Sequence, residues 1–174
     1  MVAEATAAFR PRQDRTVPRG NGAADAAPTW LLCRAGTVLC ALPTEHVIEI
    51  MRMLPVEQIA GAPDYVCGIS IVRGAPVPVV DVGLIVGGRR APFTRLVAIR
   101  VATRTVALAV DAVVGIARIA LDALGRLPPL LGEAAADTVG DIGARDAELL
   151  VFLRAGRLVP EDVLALVDTE GATS

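Results

Sequence analysis

The sequence predicts an all-β protein, and three features carry this prediction. Apolar residues between Trp30 and Leu153 come in runs of five to eight, the usual length of a strand. Glycine, proline and charged residues separate the runs so densely that a barrel or sandwich is favoured over an α/β fold. Helix signals are few: Asp122–Leu124 allows at most one turn, and Pro160–Asp162 marks the start of a C-terminal helix over Val163–Val167.

The first strands are defined by a glycine and an unusual acid. Trp30–Arg34 and Thr37–Leu42 flank Gly36, which suits a tight hairpin. The next apolar run, Val47–Leu54, carries Glu49 in its middle. An acid at such a place must face solvent or be paired, because burying an unpaired carboxylate is costly.

The remaining strands follow the same pattern of short runs and turn residues. Ile69–Arg73 and Val77–Val80 flank Gly74–Pro76. Because proline has no backbone N–H, Pro76 and Pro78 predict that the second of these strands is an edge strand or bent. The later predicted strands are Leu96–Val101, Thr105–Val110, Val113–Ile119 and Leu149–Leu153.

Composition limits the class of protein. The chain has 174 residues, 53% of them apolar and 21% charged, enough for one globular domain with a sizeable core. All 17 basic residues are arginine and stand against 19 acids, which gives a formal net charge of −2. We therefore expect no nucleic-acid partner and no basic membrane-binding patch. No stretch of 18 apolar residues is free of charged residues, so we also expect no membrane insertion.

Residues 1–28 differ in composition from the rest of the chain. They contain scattered arginines, acids and prolines without an apolar period, which predicts a flexible N-terminal tail. We expect this tail to be a solvated leader. The alternative is that its arginines contact an acidic partner.

Two segments read as an internal repeat. Ala41–Met53 and Ala107–Ile119 match at an offset of 66 residues (41 to 107), with five identities. Each copy is predicted to be a strand, an acidic corner and another strand. Alanine-rich apolar segments also match by chance, so structural repetition and coincidence both remain open.

The candidate metal ligands are few and poorly spaced. Cys33, Cys40, Cys67 and His46 would make a four-ligand set, but they lack the close cysteine pairs of structural zinc sites. If Gly36-Thr37 is the turn, Cys33 and Cys40 lie opposite each other. An odd and small number of cysteines argues against a disulfide framework and favours a reducing cytoplasm. In that compartment we expect all three cysteines to pack as small buried apolar residues.

Nothing in the sequence indicates catalysis. His46 is the single histidine, and the chain has no Gly-x-Ser-x-Gly turn, no glycine-rich phosphate loop and no lysine. We therefore predict a protein that is not an enzyme, with no catalytic residue and no cofactor. A small enzyme using His46 with Cys33 or Cys40 remains an alternative.

Arg73 is the most informative charged residue. It precedes Gly74 at the end of a predicted strand, where an arginine is usually a solvated turn residue. Arginine is also the side chain best suited to a forked pair with a carboxylate and is enriched at interface hot spots. We predict a Glu49–Arg73 pair between neighbouring strands.

The order of these motifs resembles the CheW-like coupling proteins of bacterial chemotaxis. The resemblance runs from about Trp30 to Asp168. The segments that carry it are Val47–Ile50, Pro63–Ile69, Arg73–Asp81, Ala107–Val113 and Glu148–Leu153.

The resemblance implies a fold and a function. Members of the family fold as two SH3-like five-stranded β-barrels packed around a shared core, with short helical turns and a C-terminal helix. They are non-catalytic adaptors that link the cytoplasmic helices of chemoreceptors to the regulatory domain of a CheA-type histidine kinase, at membrane-associated receptor arrays. This implies a CheW-like domain over residues 29–170 and a C-terminal tail over 171–174.

The resemblance also implies a receptor-binding face. In relatives, the positions that match Val47, Glu49 and Arg73 lie at or beside the receptor-binding face. Gly68 and Gly74 match glycines that shape the hairpin carrying Arg73.

Four positions depart from the family pattern and leave the partner open. The usual asparagine two residues before the arginine is Ile71, and the usual residues after Asp81 are replaced by Val82-Gly83. Leu108 replaces a glycine and Arg154 an aspartate. A diverged regulator of a motility or developmental pathway, which binds only a kinase or only a receptor, is therefore the second interpretation.

Overall fold

The computed structural model describes residues 27–90, 92–120, 139–145, 148–159 and 164–165. These residues form ten strands and one short α-helix, α1, at Val82–Gly87. The strands are β1 Thr29–Ala35, β2 Val38–Pro43, β3 Val47–Arg52, β4 Val66–Val72, β5 Ala75–Asp81, β6 Arg95–Val101, β7 Arg104–Val110, β8 Ala112–Arg118, β9 Val139–Arg145 and β10 Glu148–Leu153.

Several predicted features lie wholly or mostly outside the described residues. They are the N-terminal tail except residues 27–28, the turn at Asp122–Leu124, the C-terminal tail at 171–174 and most of the C-terminal helix. Of that helix, Leu164 and Ala165 are described and are helical.

The strands form two five-stranded sheets, which confirms the all-β prediction. Sheet 1 has the order β8-β1-β2-β10-β9, and sheet 2 has the order β3-β6-β7-β5-β4. Neighbouring strands are antiparallel except for β10 with β2 and β5 with β7, which are parallel. Each sheet corresponds to one of the two packed β subdomains.

The topology shows that the internal repeat is structural. Each strand of one half of the chain has a counterpart five strands away in the other half, so that β1 corresponds to β6, β2 to β7, β3 to β8, β4 to β9 and β5 to β10. When every strand of sheet 1 is replaced by its counterpart, the order of sheet 1 becomes that of sheet 2. The repeated alanines occupy equivalent places: Ala41 pairs with Phe152 and Ala107 pairs with Val79, each in a parallel ladder. Coincidence does not produce this correspondence.

The two halves of the chain exchange strands. In the first half, β2 belongs to sheet 1 but β3 belongs to sheet 2; in the second half, β7 belongs to sheet 2 but β8 to sheet 1. Each crossing occurs at the predicted acidic corner. Glu45 lies in the 3-10 turn Thr44–His46, and the Asp111 carboxylate accepts a hydrogen bond from the Gly36 N–H at 3.0 Å.

The core has three parts, which explains the nearly continuous apolar runs of the central strands. One cluster is shared between the sheets and includes Leu31, Val97 and Leu108. The opposite faces of sheets 1 and 2 each carry a further cluster, around Trp30 and Leu96 respectively. Central strands are therefore covered on both faces, whereas β3 and β8 alternate between half-buried and exposed residues.

Of the two alternatives predicted for the strand with the two prolines, an edge strand or a bent strand, the edge strand is wrong. β5 lies between β7 and β4. However, its ladder with β7 covers only Val79–Asp81. Pro76 and Pro78 lie in the other half of the strand, opposite Ile71 and Ile69 of β4. An internal strand therefore accommodates both prolines, because only its C-terminal half is paired on the β7 side.

Two elements were missed by sequence analysis. Helix α1 spans glycines that read as loop residues, yet its ends carry helix signals: the Leu84 N–H donates to the Asp81 carboxylate at 3.1 Å, and Gly88 ends the helix with φ of 62°. The other is β9, which pairs antiparallel with β10. Its glycines and charged residues obscure the strand pattern.

Candidate protein-docking site

The predicted site is built on the tight turn between β4 and β5. Arg73 and Gly74 form this two-residue turn with φ values of 52° and 83°. Two left-handed residues give a turn whose twist matches that of the strands. Glycine adopts this conformation freely, but a side chain with a Cβ pays a steric cost there. The arginine is therefore held in this turn at a steric cost.

Arg73 and Glu49 form the predicted pair. The arginine Nε and Nη2 atoms donate to the two carboxylate oxygens of Glu49, both at 2.7 Å. This forked geometry is the strong form of a charge-assisted hydrogen bond. The hydrogen bond from Arg73 lowers the pKa of Glu49, and the same bond raises the pKa of Arg73. The Arg73 side chain remains 78% exposed, against 22% for Glu49.

The prediction that the pair joins neighbouring strands is wrong. Glu49 is on β3 and Arg73 follows β4, and these strands are the two ends of sheet 2. Sheet 2 is therefore curled so that its edges approach each other, and the ion pair spans the gap. A groove of about 350 Å³ lies at this gap, and its lining includes Ile48, Val72, Pro76 and Thr105 besides the pair.

Sheet 1 has a groove at the equivalent place. It has a volume of about 270 Å³ and is lined by Leu32, Arg34, Leu39, Val114, Gly115, Ile116 and Glu148. Four of these residues occupy places that also line the groove of sheet 2. Leu39, Val114, Gly115 and the hairpin residue Glu148 correspond to Thr105, Ile48, Glu49 and Ala75.

An ion pair of its own crosses this second groove. The guanidinium of Arg34 binds both carboxylate oxygens of Glu148, the Nη2–Oε2 distance being 3.1 Å, and this lowers the pKa of Glu148. Sequence analysis missed the pair because its members are 114 residues apart. Two signals could have indicated the pair: the internal repeat, and the position of Arg34 at the end of a predicted strand.

The comparison with protein families decides the classification. The family model described as "CheW-like domain" matches residues 29–163, which is most of the chain. The chain belongs to the CheW-like family. The resemblance noted in the sequence is thereby confirmed, and the chain is an adaptor-type protein of chemotaxis-like signal transduction.

Individual CheW-like relatives are distant. The chain is 24% identical over 125 residues to "Chemotaxis protein CheW" of Klebsiella aerogenes, covering 70% of this chain and 75% of the relative. It is 31% identical over 108 residues to "Protein FrzA" of Myxococcus xanthus, covering 60% of this chain and 66% of the relative, slightly under two thirds.

A solved structure shares the CheW-like fold. The scaffolding protein TtCheW from Thermoanaerobacter tengcongensis superposes with a TM-score of 0.64 at 21% identity. The match covers 74% of this chain and 89% of that one. At this identity the similarity concerns the fold alone, and it agrees with two packed β subdomains.

Only part of the predicted receptor-binding set converges in this CheW-like chain. Glu49, Arg73 and Gly74 lie together at the groove. Val47 is on the same strand as Glu49 but packs against the shared core. Gly68 is in β4, five residues before Arg73, roughly 16 Å along an extended chain.

Gly68 has a different neighbour, the backbone of the preceding loop. A Cβ on Gly68, whose φ is 140°, would lie 1.9 Å from the carbonyl oxygen of Glu57. Glu57 exchanges two hydrogen bonds of 2.8 Å with Ile69. Glycine is therefore needed for the loop to pack against the edge of β4, and this covers part of an otherwise free edge.

The departures from the family pattern occupy dissimilar environments. Ile71 is 61% exposed on β4, close in sequence to Arg73. Val82 and Gly83 are buried in α1, and Leu108 is fully buried in the shared core. Arg154 is exposed and donates to the Gly140 carbonyl at 3.4 Å. Only Ile71 therefore changes the surface beside the groove.

The cysteines have the properties of structural residues. Cys33 and Cys40 lie opposite each other in the β1–β2 ladder, as predicted. Burial raises the pKa of each of these thiols to about 12, and that of Cys67 to about 11. A thiol is a nucleophile or ligand only when deprotonated, so these environments oppose the Cys/His enzyme alternative.

The surroundings of His46 give no support to that alternative either. Its ring lies 3.5 Å from the exposed Glu45 carboxylate. Within the described part of the chain, no three His, Cys, Asp or Glu residues are grouped so that they could hold a metal ion. The same residues include no helix that is both long and apolar enough to cross a membrane.

Proposed function

We propose that this CheW-like protein couples the cytoplasmic helices of a chemoreceptor to the regulatory domain of a CheA-type histidine kinase. It would do so in the cytoplasm, reaching membrane-associated receptor arrays through its partners. The observation that supports this proposal is the exposed, forked Glu49–Arg73 pair beside a groove. An arginine kept in a left-handed conformation and oriented by a carboxylate is suited to recognition.

The groove supplies the contacts that a receptor helix needs. Its lining combines apolar side chains with the charged pair, so a helix lying in it would bury side chains at helical spacing. In this proposal Arg73, Glu49 and Gly74 form the contact, while Val47 fixes β3 to the core and Gly68 fixes the loop beside β4.

An adaptor must hold two partners at once, which requires two separate surfaces. The grooves of sheet 1 and sheet 2 provide two such surfaces, each crossed by an ion pair. Each contact is expected to be small and reversible, at the low end of the size range of protein interfaces. Many weak contacts joined in an array add up to strong attachment.

The proposal is tested with Arg73→Glu. This variant places two carboxylates together at the groove and is expected to abolish binding to a purified chemoreceptor cytoplasmic fragment while the circular dichroism spectrum stays unchanged. Arg89→Glu is the matched control, because Arg89 is also exposed and lies just after α1, outside the groove lining. Unchanged receptor binding by a folded Arg73→Glu variant would contradict the proposal.

A diverged regulator that binds only one partner is the second candidate. The exposed Ile71 beside the groove, at a position where the family usually has asparagine, favours it. Titrating the protein into purified kinase, with and without receptor fragment, separates the candidates. A ternary complex supports coupling, whereas displacement of one partner by the other supports the regulator.

A further inference from the structure

Two arginines lie side by side at the end of β3. Arg52 and Arg95 are directly opposite in the β3–β6 ladder, and both are exposed. Directly opposite residues point to the same face of a sheet, with Cβ atoms roughly 5 Å apart, where like charges repel. One Nη atom of Arg95 donates to the Thr94 carbonyl at 3.0 Å. Among the described residues, no acid pairs with either guanidinium.

The arginine pair continues the exposed face of β3. Ile48 and Ile50 are 41% and 45% exposed. Ile50 precedes Arg52 at the two-residue period of a strand, and Ile48 lies where the β3–β6 register shifts between Val47 and Glu49. Ile48 also lines the groove beside the Glu49–Arg73 pair. The surface proposed to bind a partner thus adjoins a short apolar stripe, Ile48 and Ile50, which ends in two unneutralised cations.

The other half of the chain provides an internal comparison. Val114, Ile116 and Arg118 repeat the stripe on β8, and both apolar residues are more than half exposed. Arg118 faces Thr29 across the ladder, whereas Arg52 faces Arg95. The second arginine, Arg95, is therefore particular to the β3–β6 pair, and it adds repulsion that the equivalent β8–β1 pair does not have.

We propose that Arg52 and Arg95 together bind a carboxylate of an acidic segment of the docking partner, whose apolar residues pack on Ile48 and Ile50. Two guanidiniums supply enough donors to hold one carboxylate from two sides. The bound acid also removes the repulsion between the arginines. The inference rests on the proposed function, since it extends the same surface and specifies the chemistry of the segment that lies on it.

The experiment compares Arg52→Glu and Arg95→Glu with Arg118→Glu, using isothermal titration of the purified chemoreceptor cytoplasmic fragment at low and high salt. Each β3–β6 variant is expected to weaken binding at low salt by about fivefold or more and to reduce its salt dependence. Arg118→Glu and Arg89→Glu are expected to bind as the wild type does. Circular dichroism confirms that each variant is folded.

The outcomes separate this inference from the proposed function. If Arg73→Glu abolishes binding while both β3–β6 variants bind normally, the inference is wrong and the proposed function stands. If the wild type does not bind the fragment, both fail. Binding of the wild type to phosphatidylglycerol vesicles, lost in Arg52→Glu and Arg95→Glu, would assign the site to a lipid surface instead and overturn the inference.

Discussion

Arg73 and Ala102 share an unusual backbone conformation but not their surroundings. Their φ values are 52° and 53°, and each follows a strand in a two-residue hairpin turn. Arg73 is held by Glu49, whereas Ala102 has no polar side chain with which to form such a pair. The two positions therefore separate the cost of the conformation from the contribution of the ion pair.

Asparagine tolerates the left-handed region, so Arg73→Asn and Ala102→Asn both remove backbone strain. We expect Ala102→Asn to raise the free energy of unfolding by about 0.5–1 kcal/mol, measured by urea denaturation. Arg73→Asn is expected to gain less, because it also loses the pair, and to lose receptor binding. A destabilised Ala102→Asn variant would show that the turn is not strained.

The buried thiols make a prediction about pH. A pKa of about 12 means that Cys33 and Cys40 remain protonated until the solution is strongly alkaline. Thiol reagents at about pH 8 are therefore expected to modify the native protein very slowly and the protein in guanidinium chloride rapidly. The half-exposed Cys67, with a pKa of about 11, is expected to react first. Fast labelling of Cys33 or Cys40 in the folded protein would reopen the enzyme alternative.

The loop–strand contact at Gly68 decides how the edge of β4 is covered. The loop approaches so closely that only hydrogen fits between the Gly68 backbone and the Glu57 carbonyl. Gly68 thus contributes to the site indirectly, through the placement of β4, the strand that Arg73 follows.

Gly68→Ala is expected to lower the free energy of unfolding by about 2–4 kcal/mol, because the loop must move away from β4. Gly61→Ala is the control in the same loop: Gly61 also has a positive φ, of 80°, but no atom lies within 4 Å of its added Cβ. Comparable unfolding midpoints for the two variants would show that the close contact does not matter.

At the scale of the whole molecule, the crossing of strands between sheets makes the two halves interdependent. Without the second half, sheet 1 lacks three of its five strands, β8, β9 and β10. The first half also contains β3, β4 and β5, but β3 pairs with β6 and β5 pairs with β7, and both of these partners are in the second half.

Two fragments, residues 27–90 and 91–174, are therefore each expected to be largely unfolded alone and to fold when mixed. Far-UV circular dichroism and the concentration dependence of the thermal transition measure this association. Cooperative unfolding of either fragment by itself would contradict the interdependence of the two sheets.

The sequence by itself determined most of the strands and the central part of the site. Strand positions follow from local apolar runs and turns, and the Glu49–Arg73 pair follows from the cost of an unpaired acid in such a run. Helix α1 was accessible to the same reasoning, because Asp81 and Gly88 mark its ends, but its internal glycines concealed it.

Only the tertiary structure decided which strands meet. The parallel ladder between β2 and β10 joins residues 111 apart (39 to 150), and no local pattern encodes such a pairing. The Gly68–Glu57 contact, the Arg34–Glu148 pair and the facing of Arg52 with Arg95 likewise depend on register and curvature. Local chemistry specifies what each segment becomes, whereas the packing of distant segments around a shared core specifies which side chains become neighbours.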